Sequence, residues 1–383
     1  MTDPLHLIFV HSSDELYGSD RMLLEMVKAA SADVDVEVWL PTDLPHHPRA
    51  PLCEELMARG VRVRHLDLPI VRRAYQNPRG IARLLLRSSR LVGALRAARP
   101  DAVYCTTSPT FLCAPLARLT GVPEIIGHFQ EIWSPGDRRL LGTPARACHR
   151  LLAISEAVRD SLPPALQRRT VVVANGTPAP TRVISLEGRT GELRYLVASR
   201  WNGWKGHRTL LRAWDQANAP GQLVVLGGPP PSGESVDVNA LVATLQRQES
   251  VSIVGEVSDP AEYIEAADVI IMPSDRPEPF GLVAIEAFAR ARPVIATSAG
   301  GLVDIVTPHK DGWLFPPGDV TALANVLSTL TRDIVTGAGQ KARDTYENRF
   351  TVEHFGAQWR AAVIADRRPV GRRGRTPRTS ARK

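Results

Sequence analysis

A chain of 383 residues with 44% apolar side chains is too long for one ordinary core and predicts two domains with a substantial buried interior. No run of 18 or more apolar residues is present to span a membrane. The net charge of +7 sits in the tail: residues 367–383 carry eight Lys/Arg and no acid, which leaves 39 basic against 40 acidic residues elsewhere.

The N-terminus, Met1 to Val10, enters a strand-like run directly, without a basic region and a long apolar region ahead of it. That pattern predicts a cytoplasmic protein without a secretory signal. Apolar strand-like runs then alternate with helical patterns. The first set is 5–10, 34–40, 61–66, 102–105, 124–128, 151–154 and 171–174. A stretch from Thr177 to Gly191 holds Pro178, Pro180, Gly188 and Gly191 and reads as a linker. The second set is 194–198, 222–226, 251–254, 269–272, 294–296 and 312–315. Strands separated by helices predict parallel sheets covered on both faces. The expected fold class is therefore α/β, with two doubly wound, Rossmann-like domains facing a cleft. The expected boundaries are 1–180 and 192–350, then a helix over 351–366 and a disordered basic tail over 367–383. In that helix Phe355, Trp359 and Val363 form an i, i+4, i+8 stripe that needs a surface to pack on, expected on the N-terminal domain.

Charge divides the two halves. Residues 1–185 hold 23 basic and 18 acidic side chains, and residues 186–366 hold 16 and 22. From Arg72 to Arg99 there are eight arginines and no acid. Arg83, Arg87 and Arg90 fall on one helical face there, and Leu84, Leu91 and Leu95 on another. A basic amphipathic helix suits an anionic membrane surface or is simply a solvated charged face, and the basic tail adds to the membrane attraction or binds nucleic acid nonspecifically. No specific nucleic-acid partner is expected. Cys53, Cys105, Cys113 and Cys148 lack paired spacing and read as buried reduced thiols. No plausible ligand loop carries an Asp-x-Asp or His/Cys cluster, so neither metal nor cofactor is expected.

Chemistry concentrates in the second half. In the segment from Pro273 to Ala289, Glu278 and Glu286 stand eight apart with Pro279, Phe280 and Gly281 between them. A helix over 282–290 puts Gly281 and Leu282 at its N-terminus, where free N–H groups suit a phosphate. Ionised Glu286, one turn in, can accept from a ribose diol, and Glu278 from sugar hydroxyls. Upstream, Arg200 and Lys205 follow a strand end in a loop with Gly203 and Gly206. Two cations there are placed to neutralise a diphosphate. Gly300 and Gly301 make another strand-to-helix turn, and Val257 follows a strand at Gly255.

These residues resemble the donor half of glycosyltransferase family 4, a retaining, group 1 family with the GT-B fold. Its E-x7-E motif resembles Glu278 and Glu286, and its Arg/Lys loop resembles Ser199 to Gly206. Its GG-x-x-E-x-V turn resembles Gly300 to Val306, with Asp304 for the usual Glu, and its DG-x-L-x-P-PGD motif resembles Asp311 to Asp319. The resemblance covers most of 194–320 in order. In the first half it is looser. Leu16 to Glu25 resembles the family's first loop, with Gly18 either approaching the donor phosphates or simply opening a helix capped by Ser19 or Asp20. Ile126 to Trp133 resembles the stretch that carries His-x-His-Glu, with His128 kept and Gln130 in place of the second His.

The resemblance implies a hexosyl-type transferase that moves a sugar from a nucleotide-diphosphate donor, with retention, to a carbohydrate or lipid-linked acceptor in envelope glycan or polysaccharide synthesis. His128, Glu278, Arg200 and Lys205 would serve the chemistry. Gly18, Arg200, Lys205, Val257, Glu278, Phe280, Gly281, Leu282 and Glu286 would hold the donor. The location would be cytoplasmic or peripheral at the inner membrane face. Two other classes fit part of the pattern: a nucleotide-sugar epimerase or hydrolase, and a non-catalytic nucleotide-sugar-binding protein.

Overall fold

The structure is a computed structural model that describes residues 4–30, 34–44, 51–72, 77–230 and 234–365. The basic tail lies outside the described residues, as does the 73–76 part of the arginine-rich stretch. Thirteen strands form among the described residues, each within one or two residues of its apolar run. They are β1 (Leu5–Val10), β2 (Val34–Pro41), β3 (Arg62–Leu66), β4 (Ala102–Cys105), β5 (Glu124–Phe129), β6 (Arg150–Ala153) and β7 (Thr170–Val172), then β8 (Leu193–Ala198), β9 (Gly221–Leu226), β10 (Val251–Gly255), β11 (Val269–Met272), β12 (Val294–Thr297) and β13 (Gly312–Phe315). Central strands such as β4 and β11 are buried at every position, which is why they read as unbroken apolar runs and not as alternation.

The first sheet runs β3-β2-β1-β4-β5-β6-β7 and the second β10-β9-β8-β11-β12-β13. Every pairing is parallel. Both orders reverse at the first strand, between β1 and β4 and between β8 and β11. The carboxyl ends at such a reversal form a crevice, because the loops leaving the two neighbouring strands turn to opposite faces. The four cysteines are buried and free.

The chain leaves the first domain through 177–192 and returns at Phe350. The two crossings lie side by side: Thr177 N–H donates to Phe350 O at 2.9 Å, and Tyr346 Oη donates to Thr177 O at 3.0 Å. The helix Val352–Arg360 follows, capped by Thr351, whose Oγ1 accepts from His354 N. Its stripe of Phe355, Trp359 and Val363 shares one core cluster with Leu7, Phe9, Tyr104, Ile126 and Leu152. Trp359 Nε1 donates to Tyr104 Oη at 3.1 Å, and Tyr104 Oη bonds His128 Nδ1 at 3.1 Å. His128 has no exposed surface, and burial pushes its pKa down to about 3.

Two predictions follow from this docking. Trp359→Ala removes a buried indole from the first domain and should cost about 3–5 kcal/mol in denaturant unfolding, with a loss under about 1 kcal/mol showing that the helix is not docked in solution. His128 charges below the ordinary histidine range in the folded state only near pH 3, so unfolded chains bind its proton first and its contribution to stability is lost as pH falls below 6.5. Between pH 7 and pH 5 the His128→Gln protein should lose about 2 kcal/mol less stability than the wild type. Equal losses would show that His128 is not held neutral.

Candidate active site

The second domain's reversal point brings two loops together. After β8 the chain runs Ser199 to Gly206, and after β11 it runs Pro273 to Gly281. Gly206 fixes their contact. Its φ is 75°, and a Cβ there would meet Pro273 O at 1.7 Å, so only glycine lets the loops touch. Asp275 locks them further: its N–H donates to Trp204 O at 2.8 Å, and its Oδ1 accepts from Thr209 Oγ1 at 2.8 Å.

This contact sets Lys205 against Glu278, with Nζ donating to Oε1 at 2.8 Å, while Ser274 Oγ donates to the same oxygen. Glu278 is in turn clamped by the glycine turn after β12. Gly301 N–H donates to Glu278 O at 2.7 Å, and Gly300, at φ 65°, leaves no room for a Cβ beside Glu278 O. The two glycines therefore serve to hold the carboxylate's backbone. Lys205 Nζ also sits 4.3 Å from the centre of the Trp204 ring, which shields one side of the ammonium.

The helix expected over 282–290 runs Leu282–Ala289, with Gly281 at its N-cap and φ 120°. Glu286 lies one turn in, its side chain 16% exposed. Burial raises its pKa, while Arg21 and Arg290 pull it back down. Phe280 is buried and packs edge-on against Phe350, so its visible role is to seat the loop. Val257 is half-buried after β10 and packs on the core. His207, directly after the Lys205 loop, is pushed down to about 4 by burial and by Lys205.

The first domain meets this site through the loop after β1. The helix Gly18–Ala30 begins at Gly18, where a Cβ would lie 3.0 Å from Leu282 Cδ1, so the two helix starts abut across the cleft. The Tyr17 ring covers Arg200, with Cζ 3.8 Å from the ring centre, and Arg21 Nη1 donates to Glu286 Oε1 at 3.5 Å. Two further bonds cross the cleft. Ser155 Oγ donates to Pro279 O at 2.6 Å while also capping its own helix at Val158 N, and Glu156 N–H donates to Asp304 Oδ2 at 3.0 Å. Asp304, where the family motif carries Glu, thus holds the helix start opposite. Burial raises its pKa, and the Glu156 N–H and Arg349 lower it.

Arg200, Lys205, Glu278, Gly281, Leu282, Glu286 and Gly18 therefore gather along one cleft. His128 does not join them. It is the penultimate residue of β5, fully buried in the network with Tyr104 and Trp359, and desolvation keeps its ring neutral. The structure does not bring His128 into the cleft with the other site residues, and its Nε2 is buried without a hydrogen-bond partner among the described residues. Gln130, beyond the strand end, donates from Nε2 to Thr106 O at 2.8 Å. Tyr17 and Arg21 left no signal of their own in the sequence; only the adjacent Gly18 marked the loop. Among the described residues one group offers metal-ligand atoms, Asp14, Cys53 and His65, within 4.8 Å of one another. Its geometry is accounted for within the fold: Asp14 Oδ1 accepts the Cys53 N–H at 2.9 Å near the start of the helix Pro51–Ala58, and Oδ2 lies 3.4 Å from His65 Nε2.

Comparison with known proteins agrees with this geometry. Residues 18–186 match the family described as "Glycosyl transferase 4-like domain", and residues 192–333 match "Glycosyl transferases group 1". The D-inositol 3-phosphate glycosyltransferase of Xylanimonas cellulosilytica is 36% identical over 177 residues, which is 45% of this chain and 40% of that protein. The N-acetyl-alpha-D-glucosaminyl L-malate synthase of Bacillus anthracis is 29% identical over 140 residues, 36% of each chain. The chain thus spans well under half the length of these curated relatives. The crystal structure of Anabaena Alr3699/HepE in complex with UDP and glucose superposes with a TM-score of 0.74 at 21% identity, over 92% of this chain and 97% of that one. With two parallel-sheet domains in the GT-B arrangement and both halves matched in order, the chain belongs to the family 4-like, group 1 glycosyltransferases.

Proposed function

We propose that this protein transfers a hexosyl-type sugar, with retention, from a nucleoside-diphosphate sugar held by the second domain to an acceptor held by the first. The observation that carries the reading is the convergence of Arg200, Lys205, Glu278 and Glu286 at the reversal point between β8 and β11. Arg200 and Lys205 neutralise the departing diphosphate. Lys205 carries three N–H donors, so it can hold Glu278 and a phosphate oxygen together. Glu278 orients the sugar, Glu286 accepts from the ribose diol, and Gly281 and Leu282 present backbone amides to phosphate. Gly18 and Leu282 bring the two domains close enough to exclude water. No protein nucleophile stands in this arrangement, so catalysis rests on positioning and on stabilising the leaving group's charge.

A lipid-linked acceptor is supported by the long helix Pro78–Ala98. It buries Leu91 and Leu95 and leaves Ile81, Leu85 and Leu86 exposed at 57%, 69% and 52%, near exposed Arg79 and Arg83. Part of its basic face is used internally: Arg87 pairs with Asp43, as does Arg72, and Arg90 pairs with Asp67. Apolar side chains flanked by arginine suit the boundary of an anionic bilayer. No helix among the described residues is long and apolar enough to cross one.

Thermal-shift screening against nucleoside diphosphates and their sugars tests the donor site. One nucleotide family should stabilise the protein, and Glu286→Ala and Lys205→Ala should abolish the shift; no response to any nucleotide at millimolar concentration would sink the reading. Lys205→Ala should also slow transfer by about 10²–10³-fold with the fold intact. For the acceptor side, the protein should sediment with phosphatidylglycerol vesicles and not with phosphatidylcholine vesicles. Leu85→Glu with Leu86→Glu should release it, and equal sedimentation of that variant would remove the membrane proposal.

A further inference from the structure

The turn Leu16–Arg21 reaches out of the first domain and touches two donor-site residues of the second at once. Arg21 N–H donates to Tyr17 O at 2.9 Å, so the two side chains share one helical turn and point across the cleft together. Tyr17 covers one face of the Arg200 guanidinium, and Arg21 reaches Glu286. Arg200 keeps a buried Nη2 for which the described residues supply no hydrogen-bond partner. A guanidinium stacked on a ring keeps all its N–H groups in its own plane, where an anion can still be bound.

The turn is anchored deep in its own domain. Tyr17 N–H donates to Asp20 Oδ2 at 2.9 Å. Asp20 Oδ1 lies 2.8 Å from His11 Nε2 and accepts from Ser13 Oγ at 2.5 Å. His11 Nδ1 lies 2.6 Å from Thr106 Oγ1, and Thr106 Oγ1 donates to Val10 O at 3.0 Å. His11 and Thr106 directly follow β1 and β4, the pair at the first sheet's reversal point. Burial works against the Asp20 carboxylate, yet His11, Ser13 and the Tyr17 amide together hold its pKa below the usual range. The Tyr17 backbone is therefore tied through Asp20 and His11 to the edge of the first sheet, while its ring is half exposed.

We propose that Tyr17 is a positioning residue for the transfer: with the cleft closed, its ring fixes the plane of Arg200 and leaves Nη2 for the diphosphate. Arg200, one of the two cations that stabilise the leaving group, is then set only when donor and acceptor domains face each other. This inference rests on the reading of Arg200 as a diphosphate ligand.

Calorimetric binding of UDP, GDP and ADP, each compared with its nucleoside, tests it on the full chain. Tyr17→Ala should weaken the preferred diphosphate about tenfold and leave nucleoside binding and the unfolding midpoint unchanged. Tyr17→Phe and Tyr17→Trp should restore wild-type affinity, because either ring can cover the guanidinium. In an Arg200→Ala background, Tyr17→Ala should cause no further loss, since the two act through one contact. The inference is overturned if Tyr17→Ala binds the diphosphate normally while Arg200→Ala does not. It is also overturned if the two losses add, or if nucleoside affinity falls equally. Normal diphosphate binding by Arg200→Ala, or no binding of any of the three by wild type, would instead remove the underlying reading and the inference with it.

Discussion

In a parallel sheet all strands end at the same edge, so every loop that leaves a carboxyl end competes for the same space and carries its polar groups there. Two such edges face each other in this protein, and several of their polar groups are met from across the cleft. Arg200 finds Tyr17, Glu286 finds Arg21, the carbonyl of Pro279 finds Ser155, and the Glu156 amide finds Asp304. Two of the residues that would handle a donor, Arg200 and Glu286, are thus contacted by the opposite domain, and a change in the cleft changes their surroundings directly.

A pair such as Lys205–Glu278, with both side chains largely shielded from water, gives up much of its attraction to desolvation. Its value lies in orientation. Two glycine turns, at Gly206 and at Gly300, let the backbone come close enough that an ammonium and a carboxylate from separate loops meet at 2.8 Å. Glu286 is poised in a different way, since burial favours its neutral form while two arginines favour the charged one. Burial prevails, so its pKa stands above the usual carboxylate range despite Arg21 and Arg290.

The connection between the domains is narrow. Both chain crossings sit together, where Thr177 meets Phe350 and Thr351, and the last helix then commits to the first domain through Phe355, Trp359 and Val363. That helix belongs to the first domain's core although the second domain separates it in sequence. Its tryptophan reaches Tyr104 and through it His128, which explains why a histidine near the end of a central strand is dry and neutral.

The sequence by itself determined the strands, because residues buried on both faces of a parallel sheet must be apolar in unbroken runs, and the break at 177–191 divided them into two sets. Its motifs also pointed to Arg200, Lys205, Glu278 and Glu286, which lie in the loops after β8 and β11 and in the first turns of the helix that follows β11. The tertiary structure alone decided which of these touch. Lys205 and Glu278 are 73 residues apart and Arg21 and Glu286 are 265 apart, and no local pattern records a contact made by loops of different elements. It decided the surroundings of His128 as well, which a helix arriving from more than 200 residues downstream helps to bury. Tyr17 lay outside the sequence's reach for the same reason: an aromatic ring acquires a task only when another domain places a cation against its face.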